Sequence, residues 1–380
     1  MQRSFILMPL ALCAAGCNAL NTSAPSDTRT QSVPAPHLPP QLPPVPAALL
    51  AEIVRVKQAV PDPVAPDPAA PKPAAPKPAA NIAANTPPNP FVIRAEVLLA
   101  RARFSPGVVD GQFGSNFKHA VAAYQSARNL PVNGAVDPAT WHALLAEPLA
   151  GGAVARTYAI TAADVAGPFV PDVGEDFVKL AALPNGPQFN TALEALAERF
   201  HMSQTLLLTL NPGVNFSLAN QTIAVVDDTH PGFAKGDVAR VEVTKSDASV
   251  RAYDHAGKLI AFYPATVGST ERPSPSGNHK VVGVARNPDY TYDPSKLKWG
   301  PRSAGKLIIK PGPNNPVGMV WIDLNAPSYG IHGTPDPDNI GKTASHGCVR
   351  LTNWDAIALG AGVQPGVTVQ FIGQRGRHKS

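Results

Sequence analysis

From residue 91 onward the apolar side chains recur with two different periods, and the change from one to the other divides the chain. Phe117, Ala120, Val121 and Tyr124 fall at i, i+3, i+4 and i+7, and Trp141, Leu144 and Leu145 begin the same spacing, so two amphipathic helices are predicted. Asp137 followed by Pro138 is a helix start, and Asp110-Gly111 with Gly114 is a turn between helices. Farther on, Leu193, Leu196, Ala197 and Phe200 repeat at helical spacing, Ser203 caps a second helix ending near Leu210, and Asn211-Pro212-Gly213 stops it. Strand-like runs at 156–160 and 221–226 flank that pair. After residue 238 the period shortens to two: residues 241–244, 250–253 and 259–267 read as strands, with 254–257 turning between the last two. Further strands are predicted at 279–285, 307–309, 319–323 and 367–372. One late helix interrupts them, where Thr352 and Asp355 form a capping box ahead of Trp354, Ile357 and Ala358, and Gly360 or Gly362 ends it.

Neither period governs the N-terminal quarter. The 43 prolines are concentrated there, with P-K-P-A-A repeated from Pro71 and again from Pro76. Repeated proline favours extended polyproline II, a semi-rigid spacer of ~3 Å per residue. Residues 47–60 form a proline-free island that reads as a short helix, too brief to fold alone. At the start, Arg3, the apolar run 5–12 and the small residues Ala14, Ala15 and Gly16 form a signal peptide whose apolar run is too short to span a bilayer. The sequence A-A-G-C resembles a bacterial lipoprotein cleavage site, which makes Cys17 the acylated N-terminus.

The chain therefore divides into a signal peptide of lipoprotein type (1–20), a Pro/Ala-rich linker (21–90), a helical domain (91–149), an α+β module (156–227), a mostly-β domain (238–373) and a basic tail (374–380). Charge adds little. The net charge of +5 is spread along 380 residues, and Arg375, Arg377 and Lys379 form the single basic cluster, so nucleic acid is not an expected partner. Cysteine usage says more. Of three cysteines, Cys13 and Cys17 lie in the export segment, which leaves Cys348 alone in the folded body and excludes a structural disulfide there. An unpaired thiol in an exported protein calls for a function.

Cys348 lies in I-H-G-T-P-D-P-D-N-I-G-K-T-A-S-H-G-C-V-R-L, residues 331–351. A thiolate attacks carbonyls far better than a thiol, so the site needs a base or a positive field. His332 and His346 are the candidates. His346 is joined to the thiol through Gly347 alone and is poorly placed to be held by a third group, so His332, brought in from an adjacent strand, is the better base. The helix beginning at Thr352 starts too late for its dipole to act on the thiol, and imidazole pairing is expected to carry most of the activation. The backbone N–H groups of Gly347 and Cys348 are the expected oxyanion donors, and Arg350 offers a planar fork to a substrate carboxylate. Ser345 is placed to hydrogen-bond locally. The competing readings are a zinc site from His332, His346 and Cys348 with Asp336 or Asp338, and a buried structural cysteine; the tight His-x-Cys spacing and the polar Ser-His-Gly neighbourhood disfavour them in turn. No cofactor or metal is expected.

Three resemblances follow from these residues. Asp110 to Gly114, Ala120 to Gln125 and Leu130 to Thr140 resemble the recurrent elements of the three-helix peptidoglycan-binding domain. Helix, helix, N-P-G and strand in 156–227 resemble the later part of a LysM module, a glycan-binding βααβ fold. His332-Gly333-Thr334 with Ser345-His346-Gly347-Cys348-Val349-Arg350-Leu351 resembles the signature of the L,D-transpeptidase (YkuD-type) family. Ser274-Pro275-Ser276-Gly277 stands where that family has a T-P-x-G turn, and residues 312–318 resemble its G-P-x-x-N-P-x-G loop.

The last resemblance implies a sandwich-like, mostly-β enzyme that cuts the L,D bond between meso-diaminopimelate and the terminal D-alanine of a peptidoglycan tetrapeptide stem. It implies Cys348 as nucleophile, His332 as base oriented by the Gly333 carbonyl, Gly347 and Cys348 as the oxyanion hole, and Ser345, His346 and Arg350 as substrate-binding residues. The expected partners are glycan strands, tetrapeptide stems and, through Cys17, envelope lipid. The expected location is the periplasm of a Gram-negative bacterium. An L,D-carboxypeptidase or a non-catalytic wall-binding protein is the alternative.

Overall fold

Asn89 opens the first helix of a computed structural model that describes residues 87–229, 232–295, 303, 305–345 and 347–373. The export segment with Cys17, most of the linker, the 47–60 helix, His346 and the basic tail lie outside the described residues. The described residues all belong to one compact unit. Asn89 Oδ1 accepts from the Phe91 and Val92 N–H groups at 2.9 and 3.3 Å and caps α1 (Pro90–Arg101). α2 (Ser115–Ala127) and α3 (Pro138–Leu145) follow, the latter capped by Asp137 accepting from the Thr140 N–H at 2.8 Å. Both match the predicted periodicity. α1 does not appear in the apolar pattern because it is covered on every side, from Val92 to Arg101, and so has no polar face.

In the next stretch β1 (Ala155–Ala159) pairs antiparallel with β2 (Thr222–Val226). Between them lie α4 (Ala162–Ala166), α5 (Phe177–Ala182), α6 (Ala192–Arg199) and α7 (Gln204–Leu210). Asn211, at the N-P-G stop, is a buried clip. Its Nδ2 donates to the Leu207 and Ala224 carbonyls at 2.8 Å each and its Oδ1 accepts from the Ala224 N–H at 2.6 Å, tying the end of α7 to β2.

The remaining strands are β3 (Arg240–Thr244), β4 (Ser249–Tyr253), β5 (Leu259–Pro264), β6 (Gly277–Arg286), β7 (Tyr290–Tyr292), β8 (Leu307–Ile309), β9 (Val320–Leu324), β10 (Gly330–His332), β11 (Val349–Arg350) and β12 (Thr368–Ile372), with α8 (Asn353–Gly362) before the last. Eight of them form one ladder in the order β11-β10-β9-β6-β12-β3-β4-β5, and β7 with β8 makes a separate pair. The long β6 pairs β12 with its first residues and β9 with the rest, and its register breaks between Val281 and Gly283. A bulge bends the strand that carries it. Beyond β5, Thr266 meets Arg350 of β11, each N–H donating to the other's carbonyl at 2.9 Å. The sheet thus curls until its two ends touch, and the expected sandwich-like layering arises within one folded sheet. Val241, Val243, Ile322, Ile331, Val349 and Leu359 of α8 share its core.

The modules are joined by backbone. The Phe262 N–H donates to the Arg103 carbonyl at 3.0 Å and the Ser105 N–H to the Phe262 carbonyl at 2.9 Å, so the chain after α1 covers the outer edge of β5. Val109 pairs in the same way with His201 and Ser203 at 2.9 and 3.0 Å. Where these seams meet, the His201 ring stacks on Trp354 with centroids 4.7 Å apart, its Nδ1 lies 2.6 Å from Asp228, and Ser105 Oγ donates to Asp355 at 3.0 Å.

Candidate active site

The parallel pair β10–β11 places the thiol beside the imidazole. Ile331 is opposite Val349 and His332 opposite Arg350. One step back along the same register, Cys348 lies beside Gly330. Alternation along a strand then sets Gly330 and His332 on one face with Cys348 and Arg350. Gly330 is the gap in that face: a Cβ there would come within 2.5 Å of the Trp321 ring, so neither a side chain nor its bulk can intervene between thiol and imidazole.

His332 is buried, 3 % exposed, and its ring lies against Trp321 with centroids 5.4 Å apart and planes 21° from parallel. Nδ1 is 2.7 Å from the Gly333 carbonyl. A carbonyl can only accept, so Nδ1 carries the hydrogen and Nε2 keeps its lone pair. Burial and the Arg350 guanidinium push the imidazole pKa down to about 3, against the pull of the Gly333 carbonyl. The Cys348 thiol donates to the Ser328 carbonyl across 3.6 Å. Burial pushes its pKa up, while the Gly330 N–H and Arg350 pull the other way. The resting pair is therefore neutral thiol and neutral imidazole. The base that the sequence was expected to supply does not preform a thiolate, because burial disfavours charge on both partners and Arg350 disfavours it on the imidazole.

Two sequence assignments take different positions here. The Gly347 N–H, expected to serve an oxyanion, donates to Ser345 Oγ at 3.1 Å. Ser345, expected at the substrate, uses its hydroxyl on its own loop, donating to the Cys348 carbonyl at 2.5 Å. Gly347 adopts φ +124°, and a Cβ there would meet Tyr329 at 2.8 Å, so the turn before the nucleophile needs glycine on both counts. Arg350 faces the same cleft and finds no acceptor for its guanidinium among the described residues. His346 lies outside the described residues. Among the described residues no group of three His, Cys, Asp or Glu is placed to hold a metal ion.

Two further residues support the site: Ser274, marked in the sequence only as the start of the S-P-S-G turn, and Asn353, which was not singled out. Ser274, 3 % exposed, donates to the Gly347 carbonyl at 2.7 Å and accepts from the Gly268 N–H at 2.8 Å, so the S-P-S-G turn braces the nucleophile's loop. Asn353 accepts from the Met319 N–H at 3.0 Å and donates to the Pro313 carbonyl at 3.2 Å, holding the 312–318 loop beneath Gly333. The sequence signal for Asn353 was a polar residue at the first helical position, which reads as no more than a surface residue. Cys348, His332, Arg350 and Trp321 line a cleft of about 880 Å³ that residues from 170–191 also line, a contribution that no sequence pattern marked.

Two family models match parts of the sequence. Residues 239–371 match the family described as the L,D-transpeptidase catalytic domain, and residues 88–144 match a peptidoglycan binding domain. A Bacillus licheniformis protein named as an L,D-transpeptidase, YkuD, is 30 % identical over 183 residues, which cover 47 % of this chain and 92 % of that protein. An Escherichia coli K12 protein named as an L,D-transpeptidase, YbiS, is 28 % identical over 199 residues, covering 49 % of this chain and 62 % of the other. Among solved structures, L,D-transpeptidase 3 from Mycobacterium tuberculosis aligns with a TM-score of 0.31 and 17 % identity over 41 % of this chain and 76 % of that one.

Proposed function

The chain belongs to the L,D-transpeptidase family, and on that premise we propose a peptidoglycan L,D-transpeptidase that works through an acyl-enzyme on Cys348. The observation that carries the mechanism is the β10–β11 pair, which opens Cys348 and a Nδ1-protonated His332 onto one cleft. As Sγ attacks the carbonyl of the L,D bond, its proton passes to His332 Nε2, so the neutral pair becomes charged only as the new C–S bond forms. The tetrahedral oxyanion takes its backbone hydrogen bond from the Cys348 N–H, since that of Gly347 is engaged by Ser345. Collapse expels the terminal D-alanine, whose amine takes the proton from His332. An acceptor amine then attacks the thioester, gives its proton to His332 and leaves as the new amide, and Cys348 recovers its thiol. Arg350 receives a carboxylate of the stem.

The other assignments are proposals of the same standing. The chain is exported, held in the periplasm of a Gram-negative envelope through acylated Cys17, and reaches the wall across its proline-rich spacer. The 156–227 region is a LysM-like glycan-binding module, a reading supported by the β1–β2 pair with α6 and α7 between its strands and by the Asn211 clip. His346 contacts substrate.

Product analysis on tetrapeptide-containing muropeptides tests the reaction and its acceptor together. Cross-linked or amine-exchanged products are expected; tripeptide and free D-alanine alone would make the protein an L,D-carboxypeptidase. A carbapenem should form a covalent adduct that is absent from Cys348→Ala, and an adduct surviving in that variant would remove Cys348 from the mechanism. Cys17→Ser should release the protein from the membrane fraction.

A further inference from the structure

One wall of the cleft does not belong to the residues that match the catalytic family. Residues 167–190 are inserted between β1 and α6 of the preceding module, and Val170, Phe177 and Leu180 from this segment line the same cleft as Cys348 and His332. The segment is attached where it would matter. β7 and β8 form a two-stranded hairpin outside the eight-stranded sheet, and an isolated hairpin of that size is marginally stable by itself. Its apolar face packs into a small core of its own, built by Phe177 and Leu180 against Tyr292 and Ile309. Phe177, 6 % exposed, stacks on Tyr292 with centroids 4.9 Å apart and planes at 23°, and lies 5.8 Å from Tyr290.

The chain beyond the hairpin is fastened to the same segment. The Asn314 N–H donates to the Pro187 carbonyl at 3.0 Å, Lys310 Nζ to the Pro184 carbonyl at 2.7 Å, and Asn314 Nδ2 to Glu194 at 2.8 Å. Tyr290 connects this packing to the chemistry. It borders the same cleft as Cys348, and burial pushes its phenol up to about 12, so the ring that Phe177 packs against forms part of the surface around the nucleophile.

We infer that the inserted segment 167–190 is a fixed wall of the active-site cleft, and that Phe177 is a positioning residue that holds Tyr290 and the β7–β8 hairpin against the bound peptide stem. The inference rests on the acyl-enzyme reading of Cys348. It makes the second module part of the substrate-binding surface. The donor stem lies between β10–β11 and this wall, and its affinity depends on the wall being set in place beforehand.

The test uses the full chain, a tetrapeptide muropeptide as donor, and iodoacetamide as a probe that needs only the Cys348 thiol. Phe177→Ala should lower kcat/KM about 10- to 100-fold, mostly through KM. Alkylation of Cys348 should stay within about twofold of wild type, and Phe177→Leu should restore most of the loss. Leu180→Ala, which loosens the same small core from the other side, should shift KM in the same direction and serves if Phe177→Ala does not fold. An unchanged KM in either soluble variant, or a parallel fall of alkylation and turnover, overturns the positioning role. Absence of turnover in the wild-type protein overturns the acyl-transfer reading, a different outcome from normal wild-type turnover with insensitive variants.

Discussion

Two histidines in this chain have their pKa values shifted in opposite directions, and the contrast shows how one residue type serves chemistry at one place and cohesion at another. His332 is given a carbonyl as its hydrogen-bond partner and a guanidinium as its neighbour, so burial has an ally and the ring is neutral, with its pKa down at about 3. For His201 burial also works against the proton, but the Asp228 carboxylate at 2.6 Å outweighs it, with Asp355 and Glu198 adding to the pull, and its pKa rises. A neutral ring can accept a proton in mid-reaction. A ring that holds its proton more firmly, stacked on Trp354 between three modules, acts as a fastener.

The largest test of this contrast lies at the catalytic histidine. His332→Gln, which cannot take the thiol proton, should lower kcat about 10²- to 10⁴-fold without changing Tm, as measured by turnover and thermal melts. In the wild type kcat/KM should show no acid limb near pH 6.5, because a ring with a pKa near 3 is already unprotonated there, and should rise at alkaline pH as Cys348 ionises. Smaller is the effect of Arg350→Gln on the ring itself. Removing the cation should move the His332 pKa upward, while burial still holds it below its ordinary value, and an NMR titration of the ring in the free protein reads this separately from any loss of substrate binding.

At the junction the expectation reverses. Asp228→Asn should cost about 1–3 kcal/mol in melts near pH 6 and leave kcat nearly unchanged. The pH dependence follows from the signs of the shifts. His201 holds its proton more firmly folded than unfolded, so its contribution is complete below about 6.5 and is lost as pH climbs past that value. Burial lifts Asp355 from 3.8 to about 7 and Glu198 from 4.5 to about 7, so each also favours the folded state when protonated and withdraws that support between about pH 4 and 7. All three act in one direction, and Tm should fall between pH 5 and pH 8. Smallest of all, Ser105→Ala should cost about 1 kcal/mol by removing one hydrogen bond to Asp355.

The catalytic core was legible because its chemistry is local. His332, Gly333 and Cys348 sit in one short stretch, and the strands that carry them alternate apolar and polar residues. Thr352 does cap α8, its hydroxyl accepting from the Asp355 N–H at 3.2 Å. The carboxylate of Asp355, however, also receives Ser105 from another module, 250 positions away in sequence. That contact leaves no mark in any local pattern. The same holds for α1, whose complete burial erases the polar face by which helices are recognised, and for Phe177, which has no strong period around it and owes its place to a hairpin more than a hundred residues farther along. Gly347 shows a limit of another kind: which acceptor its N–H would find depended on the rotamer of Ser345.

The pairing of residues 103–105 with β5 has one further consequence. A catalytic domain cut free at residue 238 would present a naked strand with its amides and carbonyls open, an invitation to strand exchange between copies and to fibrous association. The helical domain thus closes an edge of the sheet whose backbone groups would otherwise be left open to another strand.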